Sequence, residues 1–219
     1  MVLVSRICLA LCLFALCACQ ITLPDLSATS RSSPVLFSQS GIVLRAPTGY
    51  CADTKSLRDT PETGFALMAN CKALKGRRLS PKDPILAVLT ASISAPLSQD
   101  AVVDPAVLKT FFATDTGRAA LSRSGAAGDV TVLETFAKGD AYYIHALDRS
   151  PNPIGDLSPE YWRTVTLLKG RIVTLTVTPF AAYPLTTAQI KRQITYFTED
   201  MSEANRDPAE VIVSEQETR

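Results

Sequence analysis

The chain has 219 residues, with 22 Lys and Arg against 21 Asp and Glu and a single histidine. A balance this close excludes a general electrostatic attraction to nucleic acid, or to anionic lipid beyond a covalent anchor. A hydrophobic share of 47% is enough for a proper core, and the length suits one domain better than two.

The first element is a leader. Arg6 is its only charge, and an unbroken apolar run follows from Ile7 to Ala18, the layout of a secretory signal and too short to span a bilayer comfortably. Leu16-Cys17-Ala18-Cys19 then resembles the lipobox of bacterial lipoproteins, an aliphatic residue, two small ones and a cysteine, with Cys17 a mild departure. That resemblance implies cleavage of residues 1–18 and lipidation of Cys19, and Gln20 after the anchor resembles the chains sorted to the outer membrane of Gram-negative bacteria. An ordinary secretory leader cut nearby, or an uncleaved anchor, is the plainer alternative.

Residues 19–40 are rich in Ser and Thr with two prolines and read as a flexible tether, of which Val35, Leu36 and Phe37 already dock on the domain. Residues 41–205 read as a single α+β domain. Its opening strand is Ile42–Ala46, stopped by Pro47 and a Pro-Thr-Gly-Tyr turn. Cys51 follows, then a polar loop to Gly64, a second strand over Phe65–Ala69, and Cys71. With Cys19 lipidated and the other three removed with the leader, Cys51 and Cys71 are an isolated pair in an oxidising space. They read as a disulfide that clips the two strands together. Free thiols or half of a metal site are the competing readings, and the latter is weakened by the distance in sequence to His145.

Lys72, Lys75, Arg77, Arg78 and Lys82 gather on the next loop. A charge run is usually a solvated connection, and its functional reading is a contact of Arg77 and Arg78 with an anionic envelope partner such as a phosphate or a cell-wall carboxylate. Ile85–Ile93 is expected to be a central strand buried on both faces. Asp104-Pro105 is an N-cap followed by proline at the first helical position, and Val107, Leu108, Phe111 and Phe112 mark the apolar side of a short helix. A second helical piece runs through Arg118–Leu121 and is broken by 124–128.

Four β-prone runs follow. Val130–Phe136 and Ala141–Leu147 are joined at Lys138-Gly139-Asp140, and Tyr161–Leu168 and Arg171–Thr178 at Lys169-Gly170. They predict an antiparallel meander, in an antiparallel sheet of about five to seven strands overall. Ile190, Ile194, Phe197 and Met201 form one stripe of a helix starting at Thr186 or Thr187, which lies across the sheet. Residues 206–219 are acidic and polar apart from Val211-Ile212-Val213 and read as a loose tail.

The final third, with Tyr161-Trp162-Arg163 on a strand, a Lys-Gly hairpin, the alternating strand to Thr178 and the C-terminal helix, resembles the end of the PsbP-like α/β sandwiches. Gly49-Tyr50-Cys51 is compatible with that layout. The resemblance covers about 80 residues. It implies an accessory or binding role. The Cys pair and the segment 95–128 depart from it.

No catalytic, metal or cofactor residues are assigned. His145 shares a strand face with Tyr143 and Leu147 and reads as a packed histidine with one hydrogen bond, rather than as the base that nucleophilic hydrolysis needs. Asp53 with Asp59, and Glu199 with Asp200, read as solvating charge. Tyr161 and Trp162 are the candidates for the floor of a sugar or peptide groove. The expected protein is thus a lipid-anchored outer-membrane protein facing the periplasm, whose partners are the membrane through its anchor and an envelope protein or the cell wall. An envelope hydrolase using His145 or a carboxylate pair is the alternative, and a structural component of an envelope complex is another.

Overall fold

The computed structural model describes residues 33–80, 83, 87–151 and 155–206. The leader, Cys19, Lys82, the first two residues of the Ile85 run and the tail from Asp207 lie outside the described residues. Within them the chain is α+β: an eight-stranded antiparallel sheet, a separate two-stranded hairpin, and helices on both faces.

β1 (Val35–Phe37) and β2 (Ile42–Leu44) pair only with each other. The large sheet runs β3 (Tyr50–Ala52), β5 (Gly64–Asn70), β6 (Ala87–Ile93), β10 (Arg171–Pro179), β9 (Glu160–Leu168), β8 (Ala141–Asp148), β7 (Val130–Lys138). The short β4 (Arg58–Asp59) pairs with β5. One-turn α1 (Cys71–Leu74) follows β5, α2 (Pro105–Ala113) and α3 (Asp115–Leu121) precede β7, and α4 (Thr187–Asn205) closes the fold.

The meander forms where the turn chemistry dictates. Lys169 and Gly170 both have positive φ, 50° and 70°, the primed turn whose twist matches that of two flanking strands, and Leu168 faces Arg171 across it. Alternation then separates two cores. One face of the sheet presents Tyr143, Trp162, Val173, Leu175 and Val177 to Ile190, Ile194, Phe197 and Met201 of α4, with the β1–β2 hairpin beneath the helix end. The opposite face presents Tyr142, Ile144, Ala146, Tyr161 and Val165 to Phe112 of α2 and Leu121 of α3.

Asn205 ties α4 to the hairpin as a strand would. Its Oδ1 accepts from the Val43 amide at 2.8 Å and its Nδ2 donates to the Val43 carbonyl at 2.8 Å. β1 is formed by the end of the 19–40 stretch, the Val35–Phe37 piece expected to dock, because Phe37 has a core to enter. The hairpin departs from expectation in its pairing. The Ile42 strand pairs with β1 and not with β5; the strand clipped to β5 is β3, where Cys51 faces Ala69. β6 is buried on both faces only in part: Ala87, Leu89, Ala91 and Ile93 are buried on one side, and on the other Val88 is buried, Thr90 half-buried and Ser92 exposed.

Cys51 and Cys71 form a disulfide across 20 residues of chain. It closes the loop that carries β4 and fastens the start of α1 to the sheet edge. Replacing both cysteines by serine is expected to lower stability by roughly 3 kcal/mol through the freed loop. The check is the urea midpoint of the double variant against the oxidised chain, with equal midpoints counting against it.

Candidate functional site

Among the described residues a groove of about 600 Å³ lies beside the β7 edge of the sheet, lined by Lys109, Phe112 and Ala113 of α2, Arg118 of α3 and Val130–Thr135 of β7. It exists because α2 and α3 turn sharply against one another. Asp104 caps α2, accepting from the Ala106 amide at 2.8 Å, with Pro105 in the first turn. Thr114 ends α2 by donating to the Phe111 carbonyl at 2.7 Å and starts α3 by accepting from the Gly117 amide at 3.0 Å. A Cβ at position 117 would meet the Phe111 carbonyl oxygen at 2.0 Å, so only glycine lets the two helices close.

The wall so formed is pinned to the sheet. Phe112 stacks on Tyr142 with centroids 6.3 Å apart. The last carbonyls of α3 find partners in β9: Tyr161 Oη donates to Leu121 at 2.8 Å and Arg163 Nη1 to Ala120 at 3.3 Å. Burial pushes the Tyr161 phenol above its usual range, with Arg163 pulling the other way, so it stays a donor.

Opposite this wall, β7 is the last strand of the sheet, nine residues long and, among the described residues, hydrogen-bonded on one side only, to β8. Six consecutive residues of it line the groove. Alternating side chains alone cannot do that, so the strand's main-chain rim is part of the surface. A bulge between Val132 and Glu134 takes Leu133 out of register and leaves it 52% exposed. Arg149 reaches the same rim, donating from Nη1 to Thr131 Oγ1 at 3.3 Å. Arg118 is paired with Asp115, while Lys109 makes no ion pair among the described residues. On the far side of β7, Glu134 pairs with Lys191 at 2.5 Å and Lys138 with Glu199 at 2.7 Å, which ties the strand to α4.

The arrangement has an apolar wall, an open main-chain edge and a cationic margin. Chemically it can take an extended peptide. A second groove, of about 510 Å³, lies along α4 between Pro47, Tyr50, Gln193 and Tyr196. It is bounded by Arg192, Glu199 and Glu203, and the strand beside it, β3, is the three-residue edge at the other end of the sheet.

Comparison with known proteins gives little beyond the architecture. No family model and no curated protein matches the chain. A solution structure of cyanobacterial PsbP (CyanoP) from Synechocystis sp. PCC 6803 matches with a TM-score of 0.43 and 13% identity, over 78% of this chain and 89% of that one.

The residues singled out from sequence do not form one site. Tyr161 and Trp162, neighbours on a strand, point to opposite faces, and both are buried, at 2% and 0% exposure, so neither floors a groove. Arg77 and Arg78 are exposed on the loop after α1, beside the opposite edge of the sheet; Lys72 there is neutralised by Asp83. His145 is 6% exposed, stacked on Trp162 with centroids 4.7 Å apart, and bonded through Nε2 to Glu160 Oε1 at 2.8 Å. Glu160 Oε1 also accepts from Thr187 Oγ1 at 3.0 Å, so the pair anchors the start of α4 to the sheet. His145 thus takes the packed place with one side-chain hydrogen bond that its strand face predicts, and not the open-cleft position of the alternative. Asp59 accepts from the Ser38 amide and hydroxyl, which makes it a fastener for β1 rather than half of an acid pair with Asp53. The groove residues Lys109, Arg118 and Leu133 were missed. Only the Pro105 cap and the length of the Val130 strand hinted at them, because an edge is a property of strand order.

Proposed function

We propose that this is a lipid-anchored accessory protein of the bacterial outer membrane, facing the periplasm, whose domain docks an envelope partner in the groove between β7 and α2–α3 and has no reaction of its own. The observation that carries this reading is the nine-residue edge of β7, unpaired among the described residues, beside a helical wall. The lipobox at Cys19 and the Cys51–Cys71 bridge support the compartment. Placing a bilayer-attached tether ahead of the domain keeps its partner search close to the membrane.

The test has two parts. The intact mass of the mature chain is expected to start at Cys19 and carry acyl groups, and a start elsewhere without acyl mass removes the address. A photo-crosslinking amino acid at position 133 is expected to give a discrete adduct in living cells that the same probe at the exposed Tyr183 does not give. No adduct at 133, or the same adduct from both, overturns the docking reading.

A further inference from the structure

The regular part of the β7 edge is symmetric about Phe136. The bulge between Val132 and Glu134 bounds it at one end and the Gly139-Asp140 turn at the other, which leaves Glu134–Lys138, in register with β8 throughout. A two-residue turn closes on a hydrogen-bonded pair, here Lys138 with Ala141. The main-chain groups of Lys138, Phe136 and Glu134 therefore turn inward to β8, and those of Thr135 and Ala137 turn outward. The same strand turned end for end meets that pattern. With Phe136 opposite Phe136 of a second copy, Thr135 faces Ala137 of the copy and Ala137 faces its Thr135, so each outward N–H finds a carbonyl. Glu134 then faces Lys138 of the copy, and Lys138 its Glu134. Within the chain Glu134 pairs with Lys191 and Lys138 with Glu199, so the new contacts join these into rows of alternating sign across the joint. Other centres lose this match. One at Glu134 sets that carboxylate against itself, one at Ala137 sets it against Asp140 of the copy, and one at Thr135 leaves Glu134 facing Phe136 and Lys138 facing Val132. The favoured register also reaches the groove, which the α2–α3 wall flanks only as far as Thr135. The copy's Gly139-Asp140 turn passes alongside Leu133 and Val132 and carries Asp140 to the side lined by Arg118 and by Lys109, the lysine with no ion pair among the described residues.

We propose that the occupant of the β7 edge is a second copy of this chain, added antiparallel about a two-fold axis at Phe136, so that two domains share one continuous sheet and the turn of each enters the groove of the other. This rests on the groove being the docking site proposed above and names its partner. A closed pair of this kind leaves neither β7 edge bare. The contact is short, at the low end of specific interfaces, and suits chains that their anchors hold at one membrane.

The test uses two differently tagged copies of the full chain, expressed together in cells, with the photo-crosslinking amino acid at position 133 of one. The adduct is expected to have twice the chain's mass and to carry both tags. Glu134→Lys in both copies, or Lys138→Glu in both, sets like charges opposite one another at each end of the joint, and each is expected to weaken the adduct at least about fivefold. Pairing a Glu134→Lys copy with a Lys138→Glu copy puts opposite charges back at both ends and is expected to restore it. A loss caused by misfolding, or by the altered contact with α4, would stay when the two variants are mixed. A both-tag adduct that neither reversal weakens, or that mixing does not restore, overturns the proposal. An adduct of another mass also overturns it while leaving the groove as a docking site for a different protein. The absence of any adduct at 133 overturns the proposal together with the docking reading on which it rests.

Discussion

Trp162→Ala is expected to destabilise the protein by about 3–5 kcal/mol, the cost of truncating a wholly buried aromatic. The side chain is 0% exposed and lies where the β8–β9 sheet meets α4. His145 stacks on one face within 6° of parallel, Phe136 meets it edge-on at 5.8 Å, and the Lys191 ammonium sits 5.2 Å from its ring centre. Loss of the indole leaves a cavity under all three and removes the support on which His145 holds Glu160 and the start of α4. Because Trp162 is the only tryptophan, the urea midpoint is followed by far-UV circular dichroism. Trp162→Phe provides the contrast. The indole Nε1 is buried with no hydrogen-bond partner among the described residues, so phenylalanine keeps most of the ring contacts and strands no donor. It is expected to cost less than half as much. A groove-floor tryptophan would behave otherwise, with alanine leaving the midpoint nearly unchanged.

That contrast marks where the sequence was legible. Elements whose signal is local were readable: the Ile190–Met201 stripe, the Asp104-Pro105 cap and the Gly139 and Gly170 hairpins each need only a few adjacent residues, and they occur where expected. The Cys51–Cys71 bridge was readable because the other four cysteines all lie within the first 19 residues. What failed was pairing between distant segments. β1 and β2 have three residues each, too few for alternation to say that they would pair with each other rather than with β5. Period two should have separated Tyr161 from Trp162, since consecutive strand residues cannot floor one groove. The groove itself depends on β7 being last in the sheet. That follows from β10 inserting beside β6, between strands nearly 80 residues apart in sequence, and no local pattern announces it.

The second large effect is expected at Asp148. Its side chain is wholly buried, and its two oxygens accept from the Arg123 amide at 2.8 Å, the Ser150 amide at 2.9 Å and the Ser150 hydroxyl at 2.6 Å, with Arg123 Nε at 3.4 Å. Arg123 Nη2 in turn donates to the carbonyls of Asp148 and Ser150. Burial by itself would push this carboxyl up; the Ser150 and Arg123 hydrogen bonds, helped by the Arg123 charge, outweigh it and hold the carboxyl below its usual range. Asp148→Ala strands an arginine and three donors, and is expected to cost about 3–5 kcal/mol. The pH dependence has a definite sign. With the folded value depressed, the ionised group stabilises in full above the unfolded carboxylate value of about 4, and the contribution fades as pH falls through the lower folded value. The gap between the unaltered chain and Asp148→Asn should therefore be widest near neutrality and close in acid; a gap that widens on acidification would contradict it. The same substitution also reaches the groove, because Arg123 lies between the end of α3 and the turn into β7. Loosening it frees the wall from the strand, so hydrogen exchange should quicken at α3 and the first residues of β7 before it quickens in α4, whose packing lies on the opposite face of the sheet.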